Sequence, residues 1–171
     1  ELMKQTQNVG LHALMEVNQI LPWQDGKLGA FHIGFVLGPC LNASGRLDSA
    51  QRAMELLDSK TREAAVAQAA FLKQLNDSRK EMTEEYVKIA VEMIESGPLK
   101  DDRVLVVFLP DCHESIAGII AGRIRERYYR PTFVLTRGEE GIKGSARSIE
   151  GYHIYEEMTK CSSFFTKYGG H

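Results

Sequence analysis

The sequence predicts an α/β protein with a helical first part, a long connecting helix, and an α/β domain with a small mixed sheet. Three observations lead to this fold. Apolar residues follow helical spacing in the first part, one apolar phase continues from about Lys60 to Glu95, and strand-like runs alternate with helical segments after Pro98. We therefore divide the chain into residues 1–58, 59–97 and 98–171.

Composition describes an ordinary soluble protein, with 43% hydrophobic and 26% charged residues. The formal net charge of −2 gives no indication of nucleic-acid binding. No apolar run approaches the roughly 20 residues that cross a bilayer, so we expect no membrane span. The chain opens without a leader-like segment and closes on Gly-Gly-His, and we expect it to be a piece of a longer protein.

The three cysteines, Cys40, Cys112 and Cys161, are far apart and include no Cys-x-x-Cys pair. This spacing is typical of reduced thiols and indicates neither a zinc site nor a disulfide framework. We therefore predict a cytoplasmic protein.

In the first part, residues 1–20 predict two short helices separated by a turn near Asn8, the second ending before Pro22. Residues 23–29 predict a loop. Residues 30–37 are apolar enough to be buried but too few to decide between helix and strand. A short amphipathic helix is predicted over residues 48–57.

The stretch from Gly38 to Leu47 predicts a rigid turn, because two glycines, a proline and an asparagine each favour a turn, a cap or a positive φ. The turn would present Asn42, Ser44 and Arg46, whose donors suit phosphate oxygens. The alternative is capping chemistry, with Asn42 or Ser44 capping the next helix and Arg46 covering its surface.

The long helix is predicted to begin after an N-cap supplied by Asp58 and Ser59. Its central residues 76–81 are polar on all sides, which favours a helix that bridges two lobes. A break near Asn76 is the competing interpretation.

In the last part, an N-cap at Asp111 paired with Glu114 predicts a helix to about Tyr128. Gly118 and Gly122 would let that helix pack close to a sheet. The other predicted elements are strands over residues 103–109 (buried on both faces), 131–136 and 142–149, a helix over 152–160 and further helical turns over 162–168.

A second anion-binding stretch runs from Lys143 to Ser148, Lys-Gly-Ser-Ala-Arg-Ser, and combines glycine with hydroxyl and cationic donors. The terminal residues Gly169, Gly170 and His171 would add backbone N–H groups and an imidazole. Residues 123–147 hold seven basic and three acidic residues, a local surplus that suits a polyanion or, alternatively, a solvated helix face.

Among the other histidines, His113 is expected to be a helix-end residue. His12, His32 and His153 have no partners at metal-ligand spacing.

Four stretches resemble the RecJ family of single-strand-specific exonucleases, within the DHH phosphoesterase superfamily. Residues 35–47 resemble its Gly-Pro-Arg-Leu-Asn-Ala-Ala-Gly-Arg-Leu signature, with Cys40 where the family often has Arg. Residues 142–149 resemble the Lys-Gly-Ser-x-Arg-Ser strand of the DHH-associated domain, and residues 168–171 the start of its Gly-Gly-His motif. Residues 112–123 resemble its His-Pro/Glu-Gly-Val-x-Gly-Ile-Val-Ala-Ser-Arg helix, although two positions differ, Ser115 and Gly122.

The resemblance implies the end of a DHH lobe, a connecting helix and a DHH-associated domain of a 5′-to-3′ single-stranded-DNA exonuclease. In that family, carboxylates and histidines of the DHH lobe hold Mn²⁺ or Mg²⁺ for phosphodiester hydrolysis. This chain has no Asp-His-His triplet, so we expect it to contain no catalytic or metal-binding residue and to be inactive alone. The implied partners are single-stranded DNA, a single-strand-binding protein and a helicase, in DNA repair and recombination.

By the same resemblance, one set of residues would hold the 5′-phosphate and adjoining backbone of the DNA. Its members are Asn42, Arg46, Ser145, Arg147, Ser148, Gly170 and His171. Two alternatives stay open: a nanoRNA or cyclic-dinucleotide phosphodiesterase of the same superfamily, and a non-catalytic DHH-like scaffold.

Overall fold

The computed structural model describes residues 2–20 and 28–170. The chain forms two compact units, Glu1–Glu81 and Met82–His171, which we describe separately. The predicted division at residues 58 and 97 stays a prediction. None of the described helices is long and apolar enough to cross a membrane.

The first unit begins with a 3₁₀ turn, Leu2–Gln5, and helix α1, Val9–Val17. Asn8 caps α1 by accepting a hydrogen bond from the Leu11 N–H at 2.9 Å, and its side-chain amide donates to the Leu57 carbonyl at 2.8 Å. The turn predicted near Asn8 is thereby confirmed. The predicted loop from Trp23 lies largely outside the described residues, since residues 21–27 are not among them.

The turn predicted from Gly38 to Leu47 is wrong, because this stretch is helix α2, Gly38–Leu47. It continues a helical turn over Ala30–His32 and a π-helical turn over Ile33–Leu37. The wide turn lets the Gly38 N–H donate to the Ile33 carbonyl, and a Cβ at Gly38 would lie only 2.9 Å from that oxygen. Pro39, which has no N–H to donate, directly follows this wide turn.

Helix α3, Gln51–Leu57, begins three residues later than predicted. The Ser49 hydroxyl accepts a hydrogen bond from the Gln51 N–H at 3.2 Å and so marks its start. The core of this unit contains buried apolar side chains from α1, the π-helical turn, α2, α3 and the first half of the long helix, among them Leu14, Met15, Leu37, Cys40, Leu56, Ala65, Ala69 and Leu72.

The long helix, α4, spans Arg62–Ser96 without a break, so the prediction of an uninterrupted helix is confirmed. The predicted N-cap is wrong. Thr61 accepts from the Ala64 N–H at 3.3 Å, whereas the Ser59 hydroxyl donates to the Glu55 carbonyl at 2.9 Å and so closes α3.

Residues 76–81 at the centre of α4 are all polar, but one of them is buried instead of solvated. Asn76 is 2% exposed, and its amide oxygen accepts from the Arg79 guanidinium at 3.0 Å. A buried amide is tolerated where it forms hydrogen bonds. The polar side chain of Asn76 therefore did not need to face solvent. The boundary between the two units falls a few residues later in this helix.

The second unit contains a three-stranded mixed sheet in the order β1-β2-β3, which confirms the predicted fold class. The strands are β1, Leu105–Phe108, β2, Thr132–Gly138, and β3, Gly141–Arg147. The β1 and β2 strands are parallel and are joined through helix α5, Glu114–Tyr128, while β2 and β3 are antiparallel.

Strand β1 is buried on one face only, contrary to the prediction. Leu105 and Val107 are fully buried, whereas Val106 and Phe108 are 46% and 39% exposed. The buried face joins the core of this unit, to which α4 contributes Ala90 and Ile94 and α5 contributes Ile116, Ala117, Ile120, Ala121 and Ile124. A continuous apolar run therefore did not reveal how many faces of this sheet are covered.

Helix α5 is capped by His113 instead of Asp111, because the His113 imidazole accepts from the Ser115 N–H. The expectation that His113 is a helix-end residue is confirmed. The Asp111 carbonyl instead accepts from the Tyr86 hydroxyl of α4 at 2.6 Å.

Helix α6, Ile154–Lys160, and a 3₁₀ turn, Ser162–Phe164, follow β3, and residues 165–170 form neither helix nor strand. Because β3 ends at Arg147, Ser148 and Ile149 lie beyond the strand that was predicted to include them.

Candidate functional site

Strand β3 presents three polar side chains on the face that packs against α5. Lys143, Ser145 and Arg147 alternate along the strand, and side chains that alternate share a face. The register pairs them with the β2 residues Thr136, Val134 and Thr132, which are fully buried. Two cations and a hydroxyl are thus aligned along the side of the sheet that α5 covers.

Gly118 of α5 lies where the Arg147 guanidinium meets the helix. A Cβ atom at Gly118 would lie 2.9 Å from Nη2 of Arg147 and 3.3 Å from Oγ of Ser145. The other guanidinium nitrogen, Nη1, donates to the Ala146 carbonyl at 2.8 Å. Close packing predicted at Gly118 is therefore confirmed. Gly122 differs, since a Cβ there would meet nothing within 4 Å.

Lys143 lies at the other end of this row and forms an ion pair with Glu114, with Nζ 2.8 Å from Oε2. The hydrogen bond and negative charge of Glu114 raise the pKa of the Lys143 ammonium, so this side chain stays cationic at neutral pH. An open pocket of about 220 Å³ lies beside the pair and is lined by Glu114, Ser115, Ala117, Thr136, Lys143 and Gly144.

Ser148 has its hydroxyl engaged in the loop that follows β3. The hydroxyl donates to the Tyr152 carbonyl, and the loop passes through Gly151 at a positive φ of 79°. The structure therefore gives Ser148 a loop-stabilising hydrogen bond, and its predicted role toward a phosphate stays a prediction.

The terminal glycines, which were predicted to add backbone N–H groups to the site, have no left-handed backbone conformation. The described glycines with positive φ are Gly141 and Gly151, and neither Gly169 nor Gly170 is among them. Gly170 is exposed, with a Tyr155 ring carbon 4.0 Å from where its Cβ would be. His171 lies outside the described residues.

Asn42 and Arg46 lie one turn apart on α2 and are both exposed, so they share one face of this helix. Ser44 points into the core, and its hydroxyl donates to the Leu41 carbonyl at 2.9 Å. Cys40, at the position where the resembling family often has Arg, is fully buried, and burial raises the pKa of its thiol. Cys40 thus contributes to packing and not to a surface contact.

The structure therefore brings together Ser145 and Arg147 in the second unit, and Asn42 and Arg46 in the first. That these pairs share one cavity stays a prediction. The predicted set of phosphate contacts left out Lys143, although the anion-binding stretch included it, and also left out Gly118. The period-two alternation of Lys-Gly-Ser-Ala-Arg would have placed Lys143 with its neighbours, but no local pattern indicates which residue faces Gly118.

Among residues 2–20 and 28–170, no three His, Cys, Asp or Glu side chains lie close enough together to hold a metal ion. These residues therefore do not fit the Mn²⁺ or Mg²⁺ that the resemblance implies, and we derive no chemical step from a metal in this chain.

Residues 101–171 match the family model of the DHHA1 domain. Over its whole length the chain is 36% identical to the single-stranded-DNA-specific exonuclease RecJ of Bacillus subtilis, of which it covers 22%. It is 34% identical to the RecJ exonuclease of Escherichia coli, with 95% of this chain and 29% of that protein aligned. The chain thus spans about a quarter of the length of these relatives.

Solved structures show the same similarity. RecJ from Thermus thermophilus in complex with Mg²⁺ superposes with a TM-score of 0.83 at 27% identity, covering 99% of this chain and 25% of that one. An exonuclease RecJ bound to manganese superposes with a TM-score of 0.80 at 27% identity, covering 98% of this chain and 40% of that one. In sequence and in fold, this chain belongs to the RecJ family and represents a part of it that includes the DHHA1 domain.

Proposed function

We propose that this chain is the part of a 5′-to-3′ single-stranded-DNA exonuclease that holds the 5′-terminal phosphate and the adjoining backbone. The observation that supports this most strongly is the placement of the Ser145 hydroxyl and the Arg147 guanidinium together at Gly118. The names of the similar proteins, which are single-stranded-DNA-specific exonucleases, supply the substrate class.

A terminal phosphate is a suitable ligand for this arrangement of side chains. The planar guanidinium of Arg147 offers paired donors that match phosphate oxygens, and a serine hydroxyl adds a donor that can rotate. Lys143 on the same face of β3 adds a second cation, whose charge the ion pair with Glu114 partly offsets. Because an internal phosphodiester carries one negative charge and a terminal phosphate close to two, this site favours a strand end.

The rest of the proposed contact set comes from the remaining predicted residues. Asn42 and Arg46 would contact the backbone next to the terminal phosphate, and Ser148, Gly170 and His171 would complete the DHHA1 side. An anchor for the 5′ end would set the 5′-to-3′ direction, because the next phosphodiester is then the one presented for cleavage.

Catalysis in this proposal belongs to parts of the protein outside this chain. The Mg²⁺ and Mn²⁺ bound in the similar structures support a metal-dependent hydrolysis there. We therefore propose that this chain alone cleaves nothing, and that the whole protein acts in DNA repair and recombination in the cytoplasm. A single-strand-binding protein and a helicase are the proposed protein partners.

The test is digestion of labelled single-stranded DNA with a 5′-phosphate by the full-length protein and its Ser145→Ala and Arg147→Ala variants. Removal of one charge-assisted contact is expected to raise KM by about tenfold or more. Arg137→Ala is a matched control, because it removes an equal charge from the central strand of the same sheet, at a position that pairs with Ile142 and not with Ser145 or Arg147. Equal KM values for Arg147→Ala and wild type would overturn the proposal.

Two further measurements test the substrate class and the division of roles. Dinucleotides should be cleaved more slowly than long single-stranded DNA, and the reverse order would favour a nanoRNA or cyclic-dinucleotide phosphodiesterase. The isolated chain should not digest DNA with Mn²⁺, and processive digestion by it would contradict the assignment of catalysis to other parts.

A further inference from the structure

We infer that Gly118 is a positioning residue, which fixes the Arg147 guanidinium by leaving space for it on the surface of α5. The inference rests on the proposed function, because it supposes that Arg147 binds the terminal phosphate. The role that we infer for α5 cannot be recognised from the residue types of β3 alone.

Two contacts hold the guanidinium in its position. On one side, Nη1 donates to the Ala146 carbonyl at 2.8 Å. On the other side, the guanidinium lies against the bare backbone at Gly118, where a Cβ would be 2.9 Å from Nη2 and 3.5 Å from Cζ. A carbon cannot approach a nitrogen that closely, so any side chain at residue 118 must displace the guanidinium.

The helix itself has little freedom to retreat from such a clash. Ile116, Ile120 and Ile124 on its inner face are fully buried in the core of the second unit. The atoms in the way belong to the far end of a flexible arginine, and that end moves more easily than a packed helix. Gly118→Ala is therefore expected to move Arg147 and leave the fold intact.

Gly118→Ala should combine effects that replacement of a purely structural glycine would not show. Alanine is favoured over glycine in a helix interior, so Gly118→Ala should unfold no more easily than wild type. Phosphate binding should nevertheless weaken, because the new methyl group displaces the Arg147 donors from their position beside Gly118. Stability and binding would thus change independently.

Gly122 provides a matched control within the same helix. It lies one turn after Gly118, and a Cβ at this position would meet nothing within 4 Å. Gly122→Ala therefore makes the same chemical change and gains the same helix preference without touching Arg147.

The experiment measures binding of a fluorescent single-stranded oligonucleotide by the full-length protein in EDTA, with a 5′-phosphate and with a 5′-hydroxyl. The readout is the ratio of the two Kd values, which reports recognition of the terminal phosphate alone. Gly118→Ala is expected to reduce this preference by about tenfold, and Gly122→Ala to leave it at the wild-type value. A wild-type preference in Gly118→Ala would overturn the inference.

Arg147→Ala separates failure of the inference from failure of the proposed function. If Arg147→Ala keeps the wild-type preference, the proposed phosphate site is wrong. If Arg147→Ala loses the preference and Gly118→Ala keeps it, the inference alone is wrong. The double variant that carries both Gly118→Ala and Arg147→Ala completes the cycle. If Gly118 acts through Arg147, Gly118→Ala causes no further loss of preference once Arg147 has been removed. An additive loss in the double variant would contradict the positioning role.

Discussion

Thr136 offers the sharpest test of how the second unit holds α5 in place beside β3. It is fully buried on β2, and its hydroxyl donates to the carbonyl of Cys112 in the segment that leads into α5. The same residue lines the pocket next to Lys143. Thr136→Val keeps the shape of the side chain and removes the donor, so it isolates the contribution of this hydrogen bond.

The size of the effect follows from the burial of both partners. Thr136 is 0% exposed and Cys112 is 3% exposed, so water cannot easily replace the lost donor. A buried acceptor deprived of its donor costs about 1–3 kcal/mol of the free energy of unfolding. Thr136→Ser retains the hydroxyl and loses one methyl group, which costs about 1 kcal/mol.

The assay is urea denaturation of wild type and both variants, with hydrogen exchange of the β2 amides to identify the unit that is destabilised. We expect Thr136→Val to be the less stable variant and to lose protection in the second unit. A Thr136→Val protein that unfolds at the same urea concentration as wild type would refute the reasoning, since the hydrogen bond would then contribute nothing net.

Two further predictions concern packing and thiol reactivity. Gly10→Ala should lower the free energy of unfolding by about 1–3 kcal/mol, because its Cβ would lie 2.0 Å from the Leu56 carbonyl oxygen, a backbone atom that cannot rotate away. Gly45→Ala, whose nearest neighbour is 3.6 Å away, should raise it by about 0.5–1 kcal/mol, and chemical denaturation that ranks the two variants in the opposite order would contradict this. Iodoacetamide at pH 8 should modify the exposed Cys161 and spare Cys112, which is buried and whose pKa burial raises to about 11. Mass spectrometry that finds equal modification of both thiols in the folded protein would count against the buried position of Cys112.

The sequence by itself determined those features that depend on local periodicity and on motifs. The unbroken phase of apolar residues predicted α4 through its polar centre, and the alternation of strand and helix predicted the mixed sheet. The Lys-Gly-Ser-Ala-Arg run contained the alternation that aligns Ser145 and Arg147 on one face. Such patterns are readable because they reflect the geometry of neighbouring residues in one element.

Local signals failed where two conformations suited the same residues. Gly38 and Pro39 are typical of a turn, yet they lie in a helix because a π-helical turn precedes them. Asp111 and His113 can both cap a helix, and the Asp111 backbone is instead engaged by Tyr86 from α4. The choice in each case depended on hydrogen bonds beyond the residues that carried the signal.

Tertiary structure decided which faces are covered and what lies opposite the site. Val106 and Val107 are the same residue type, but Val107 is buried in the core of the second unit and Val106 is 46% exposed. Gly118 meets Arg147 whereas Gly122 meets nothing, although the two glycines are one turn apart on the same helix. Contacts of this kind join residues that are distant in the chain, and they arise only when strand register and helix packing set the distance between them.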